Sequence, residues 1–273
     1  MATTPEAGAT PALRERARLG VSLRATAPPI IDGHCHLGPH AGFFQPRNGA
    51  GALLRTMDRI GIDQACVFAS LAVRLDMRGG NDLSLAAAMR HPDRFLAYAV
   101  VDPHREDETE AELARCFDRG ARGIKLHTQL AGYPFDGPAY ERAFAFADEH
   151  RLPLISHGVG SATALRRIAR AYPNAHFVVA HAGAALVGGD ASLATAAAEV
   201  SNVYLDTASS TAPFGAFAAV VRLVGAGKLT FGTDAPLTSP AYQVGRIALA
   251  PLSEADQRRI LGGNLAALLA TRR

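Results

Sequence analysis

The chain has 273 residues, 48% of them hydrophobic and 19% charged, with a formal net charge of +3. This composition suits a globular protein with a large core and excludes a disordered or fibrous chain. Acidic residues are interleaved with basic ones and no basic stripe forms, which argues against a nucleic-acid partner.

Residues 1–28 are rich in Ala, Thr, Pro and Arg and are expected to form a mobile or loosely docked extension. Arg14, Arg16, Arg18 and Arg24 fall in that stretch without the continuous apolar run of a secretory signal. Nowhere does the chain keep about 18 apolar residues unbroken, so no membrane span is expected. From residue 29 onward, apolar runs alternate with helical patterns, and the strands are placed at 30–36, 62–70, 95–102, 121–128, 152–158, 176–183, 202–209 and 229–234. Their spacing is that of one βα unit, and near-continuous apolar strands are what a parallel sheet covered on both faces requires. Eight such units predict one (β/α)8 barrel of the TIM type over 29–273. The rival, an open doubly wound sheet, would carry a Gly-rich phosphate loop after its first strand. The segment Gly38-Pro39-His40-Ala41-Gly42-Phe43 lacks that fingerprint.

Helix boundaries are read from local chemistry. Asp107, Glu108 and Glu110 put acids in a first turn, and Gly61, Gly120 and Gly227 stand where helices would end. Ser253-Glu254-Ala255-Asp256 reads as a capped start, and Asn264 as the opening of a last helix. Cys35, Cys66 and Cys116 are odd in number and lack paired spacing, which points to a reducing cytoplasm.

In this barrel type the site lies at the C-terminal strand ends. The polar residues predicted there are His34, His36, Asp102, Lys125, His127, His157, His181, Asp206 and Asp234, including five of the chain's ten histidines. His34 and His36 are two apart on a strand and therefore share a face, whereas Cys35 points away. A divalent cation would satisfy several buried imidazoles at once. Considered with this pair, His157 and Asp234 become candidate ligands, although His157 alone suits a hydrogen-bonded core histidine and Asp234 alone a helix N-cap. Three imidazole nitrogens with one carboxylate suit Zn(II) first, and Mn(II), Fe(II) or Co(II) next.

The strand-end motifs resemble those of the amidohydrolase superfamily, in particular the amidohydrolase-related group that includes aminocarboxymuconate semialdehyde decarboxylase. The matching elements are Asp32-Gly33-His34-Cys35-His36, Gly123-Ile124-Lys125-Leu126-His127, Leu152 to His157, Ala180-His181-Ala182-Gly183, Gly232-Thr233-Asp234 and Ile260-Leu261-Gly262-Gly263-Asn264. The resemblance implies a barrel holding one divalent metal on His34, His36, His157 and Asp234, with His181 beside a metal-bound water.

The expected activity is hydrolysis of a small, carboxylate-bearing molecule at a C=O or C=N carbon, with Asp234 and His181 handling protons. Non-oxidative decarboxylation on the same ligands is the first alternative, and a metal-independent lactonase or a non-catalytic barrel the further ones. Arg47, or Arg74 in the second loop, would grip a carboxylate, although each alone also reads as a solvated loop charge. His127 and Lys125 share a face and are candidate substrate contacts, with a carboxylated Lys125 between two metals as the competing role. The expected partner is a small-molecule substrate, and a homodimer is among the assemblies allowed.

Overall fold

The computed structural model describes residues 13–18, 20, 22–23, 28–40, 42–187, 190–209, 212–213 and 215–271. Eight strands are parallel and pair in sequence order: β1 Ile31–Leu37, β2 Gln64–Ala69, β3 Phe95–Val100, β4 Gly123–His127, β5 Pro153–His157, β6 His176–Val179, β7 Val203–Asp206 and β8 Leu229–Thr230. Helices occupy the connections, as in a TIM barrel. β8 is only two residues long, so the segment beyond it completes the cylinder. Gly33 N–H donates to the Phe231 carbonyl at 2.8 Å, Asp234 N–H to the His34 carbonyl at 2.8 Å, and His36 N–H to the Ala235 carbonyl at 2.6 Å.

Several strands stop earlier than their apolar runs. β6 ends at Val179 and passes into a 3₁₀ segment, Ala180–Val187, while β7 ends at Asp206. Gly61 caps its helix with φ 98°, and Ser253 Oγ accepts from Asp256 N–H. Gly227 lies inside a short 3₁₀ turn, and Gly225, with φ 83°, is the residue that ends the preceding helix. Asn264 does not cap. Its Nδ2 donates to the Ala226 and Leu229 carbonyls, tying the last helix to the start of β8.

The core has two shells. Ile31, Cys66, Phe68, Tyr98, Val100, Ile155 and Val178 pack inside the barrel with Leu265 and Leu268 of the last helix. Ala65, Val67, Ile124, Leu126, Leu154, Phe177 and Leu205 face the helices. In the N-terminal region, Leu13 and Leu23 join the helix-side shell, Arg14 donates to the Ala250 carbonyl and Leu23 N–H to the Ile60 carbonyl. No helix among the described residues is long and apolar enough to cross a membrane.

Candidate metal and catalytic centre

The centre begins with an irregularity in β1. Asp32 pairs with Ala65 and Cys35 with Val67, so Gly33 and His34 together oppose Cys66 alone. A bulge of this kind shifts side-chain parity by one. Ile31 faces the barrel interior, and strict alternation would turn His34 outward. The bulge turns His34 and His36 inward instead, while Cys35 packs in the helix-side shell.

One carboxylate holds His34 and a second faces it. Its Nδ1 lies 2.8 Å from Asp206 Oδ2, and both side chains are buried. The carboxylate can only accept, so Nδ1 carries the proton and the Nε2 lone pair faces the cavity. There Nε2 lies 3.5 Å from Asp234 Oδ1 and 3.1 Å from Lys125 Nζ. His36 Nε2 is 3.1 Å from the same Asp234 oxygen. A Cβ at position 232 would collide with Asp206 Oδ1 and His34 Cβ, so the close approach of β7, β8 and β1 needs Gly232.

Asp234 leaves the strand in the left-handed region, at φ 60°. Thr233 anchors this turn: its N–H and Oγ1 donate to Asp32 at 2.9 and 2.5 Å, and its Oγ1 accepts from Ala235 N–H. The following helix is capped by Ser239, so Asp234 is not its N-cap.

One donor atom from each of His34, His36 and Asp234 lies within 4.8 Å of the others. Ligands about 2.0 Å from a tetrahedral ion stand about 3.3 Å apart. The 3.1 and 3.5 Å separations of Asp234 Oδ1 from the two Nε2 atoms match that edge. His36 Nδ1 is buried without a hydrogen-bond partner. The donor set, its spacing and the tautomer imposed on His34 fit a divalent cation.

Burial lowers the basicity of His34 and His36, which keeps both neutral and able to ligate. Burial alone would raise Asp234, but its hydrogen bond with His36 and the polar imidazoles around it outweigh that and hold the carboxyl below its ordinary range. Burial brings Lys125 down to about 8, with its Nζ 4.5 Å from the Phe68 ring centre.

His157 stands beside this trio and not within it. Its Nδ1 is 3.1 Å from His181 Nε2, while His181 Nδ1 is 2.9 Å from the Ala208 carbonyl. That carbonyl must accept, so neutral His181 carries its proton on Nδ1 and receives the His157 Nδ1–H on Nε2. The lone pair of His157 is thereby left on its Nε2. Burial lowers His157 to about 3, and its electrostatic neighbours include Asp234 and His36. His181, like Asp234, has positive φ, at 57°.

His127 stacks on His157 at 4.1 Å, and its Nδ1 accepts from Leu130 N–H. With Arg74, Asp102 and His104 it lines a small pocket of about 110 Å³. Arg47 is exposed and lines a different cavity, one it shares with His36. Of the three candidate substrate contacts, Lys125 therefore adjoins the His34–His36–Asp234 cluster, and His127 and Arg47 open on separate sides. Asp206, predicted only as a strand-end carboxylate, proves to orient His34, a role its place one strand before Asp234 would have allowed.

Residues 31–270 match the family described as Amidohydrolase. No curated protein matches the chain. Among solved structures, the chain is similar to a 5-carboxyvanillate decarboxylase from Novosphingobium aromaticivorans complexed with manganese and 4-hydroxy-3-methoxy-5-nitrobenzoic acid. The TM-score is 0.74 at 17% identity, covering 91% of this chain and 99% of that one. It is similar also to a dihydroxybenzoic acid decarboxylase from Polaromonas with bound manganese and the inhibitor 2-nitroresorcinol (TM-score 0.73, 18% identity, covering 90% and 98%). A third is the 2,6-dihydroxybenzoate decarboxylase from Rhizobium (TM-score 0.72, 16% identity, covering 89% and 98%). At these identities the likeness is one of fold.

Proposed function

Because the chain belongs to the amidohydrolase family, we propose that it is a metal-dependent hydrolase acting at a C=O or C=N carbon of a small, carboxylate-bearing molecule. The observation that carries this reading is the convergence of His34 Nε2, His36 Nε2 and Asp234 Oδ1 within 4.8 Å, beside the His157–His181 pair. His34, His36 and Asp234 would hold the ion, with His157 Nε2 completing the set. Zn(II) suits three imidazoles and a carboxylate, and the manganese in two solved neighbours makes Mn(II) its competitor. A divalent ion there supplies Lewis acidity and brings the pKa of water toward about 7.

The protein's own groups do the rest. Asp234, kept ionised, accepts a proton on its carboxylate and delivers it to the leaving group. His181, with Nδ1–H fixed on the Ala208 carbonyl and Nε2 accepting from His157 Nδ1–H, holds the His157 Nε2 lone pair free; once released from His157, its Nε2 would take up a proton and steady the oxygen that gains negative charge. Lys125 places a buried positive charge 3.1 Å from His34, suited to an anionic substrate. All three cysteines are buried and reduced, which suits the cytoplasm.

The solved neighbours favour a second reading, non-oxidative decarboxylation of an aromatic acid. There His181 would serve as the base, a proton would reach the substrate carbon and carbon dioxide would leave. Metal analysis of purified protein, with a screen of aromatic and aliphatic acids, amides and lactones followed for both carbon dioxide and ring or amide opening, separates the readings. Opening without carbon dioxide, lost in chelator and restored by Zn(II) or Mn(II), is the expected result. Carbon dioxide release replaces the first reading with the second, and full turnover in chelator removes both.

A further inference from the structure

A cavity of about 440 Å³ runs from the metal centre into the groove between the helix Ala50–Ile60 and residues 235–241. His36 and Ala235 line its inner end, and Arg47, Arg55 and Arg59 line it further out. No aspartate or glutamate lines it, and none of the three guanidinium groups makes an ion pair or hydrogen bond among the described residues. Three exposed arginines elsewhere are engaged by carboxylates: Arg105 with Glu108, Arg142 with Glu110 and Arg167 with Asp136.

Arg55 and Arg59 are four residues apart on one helix, so their charges repel. A counter-charge between them would reverse that cost. The helix rises about 1.5 Å per residue, which puts Arg59 about 10 Å further along the groove wall than Ala52. The walls also include Leu53 and Ile60, suited to an apolar body.

We propose that this groove is an anion subsite: the substrate carries, at the end remote from its reacting group, a terminal carboxylate or phosphate held by Arg55 and Arg59, with Arg47 lining the same groove. The assignment rests on the His34–His36–Asp234 centre as the place of reaction. It deepens that reading by requiring a substrate with two separated functional ends, which a compact monoacid does not have.

The test is calorimetric titration of chelator-treated protein with glutarate, for the carboxylate form, and with inorganic phosphate, for the phosphate form. At least one probe is expected to bind the wild type without metal. Binding should weaken about tenfold or more in Arg55→Ala/Arg59→Ala, recover in Arg55→Lys/Arg59→Lys and stay unchanged in His34→Ala. Both arginines are exposed, so unchanged thermal unfolding confirms an intact fold. Equal binding in the alanine double variant, binding that appears only when metal is restored, or no binding of either probe overturns the subsite. Metal content is measured separately, so a chain that holds no metal defeats the proposed function without deciding this test.

Discussion

His34 Nδ1 and Asp206 Oδ2 form a 2.8 Å hydrogen bond between two buried side chains, and that bond decides which nitrogen of His34 faces the cavity. Asp206 is itself oriented from behind: Oδ1 accepts from Ala208 N–H at 3.2 Å, and Oδ2 also lies 3.3 Å from His181 N–H. One carboxylate on β7 thus positions the His34 imidazole on β1 and the backbone of His181.

Asp206→Asn is expected to weaken metal affinity by about 10- to 100-fold, because a neutral amide no longer favours the Nδ1–H tautomer of His34. Competition with a chromogenic chelator measures this. Asp206→Ala should also cost about 1–3 kcal/mol of stability by leaving a buried imidazole N–H unsatisfied. Unchanged affinity in the asparagine variant would show that Asp206 does not orient the ligand.

Ligands and proton carriers should separate by readout. His34→Ala and Asp234→Ala are expected to lose the ion, measured by elemental analysis. His181→Ala should keep the ion and lose turnover by about 100-fold or more, since its Nε2 faces His157 and not the His34, His36 and Asp234 donor atoms. Retained turnover in the His181 variant would remove that residue from the mechanism.

The barrel was legible because each βα unit repeats the same apolar demand on both faces of its strand. The shared face of His34 and His36 also follows from the period of two. Which face that is does not: counting from Ile31 turns His34 outward, and only the bulge opposite Cys66 reverses it. His181 and Asp234 were legible as residue types at strand ends, but each enters the site through a left-handed turn that no apolar pattern encodes. Arg55 and Arg59 carry no sequence signal of their own, because the groove they line is formed only with residues 235–241 opposite.

Lys125 supplies a third discriminating variant. Its Nζ sits 3.1 Å from His34 Nε2, where a carboxylated side chain would bridge two ions. With a single ion held by His34, His36 and Asp234, Lys125→Met should still carry one metal per chain while binding an anionic substrate more weakly, seen as a raised KM. Two ions per wild-type chain, falling to one or none in the variant, would make Lys125 a ligand.

Glu112 gives a pH-dependent test away from the centre. Its Oε1 accepts from Asn81 at 2.9 Å and from Arg115 at 2.7 Å, and Asn81 in turn bonds both the N–H and the carbonyl of Val100, the last residue of β3. Burial pulls the Glu112 carboxyl up, but the hydrogen bonds from Arg115 and Asn81 outweigh it and set its pKa below the ordinary 4.5. A carboxyl depressed in the folded state contributes stability that is fully present above pH 4.5 and is lost as pH falls through the folded value. Glu112→Gln is therefore expected to cost about 1–3 kcal/mol at pH 7, with the gap from wild type closing in acid. Urea unfolding of both proteins at pH 7 and at about pH 4 measures the gap. A gap that stays constant with pH would assign the effect to lost packing rather than to charge.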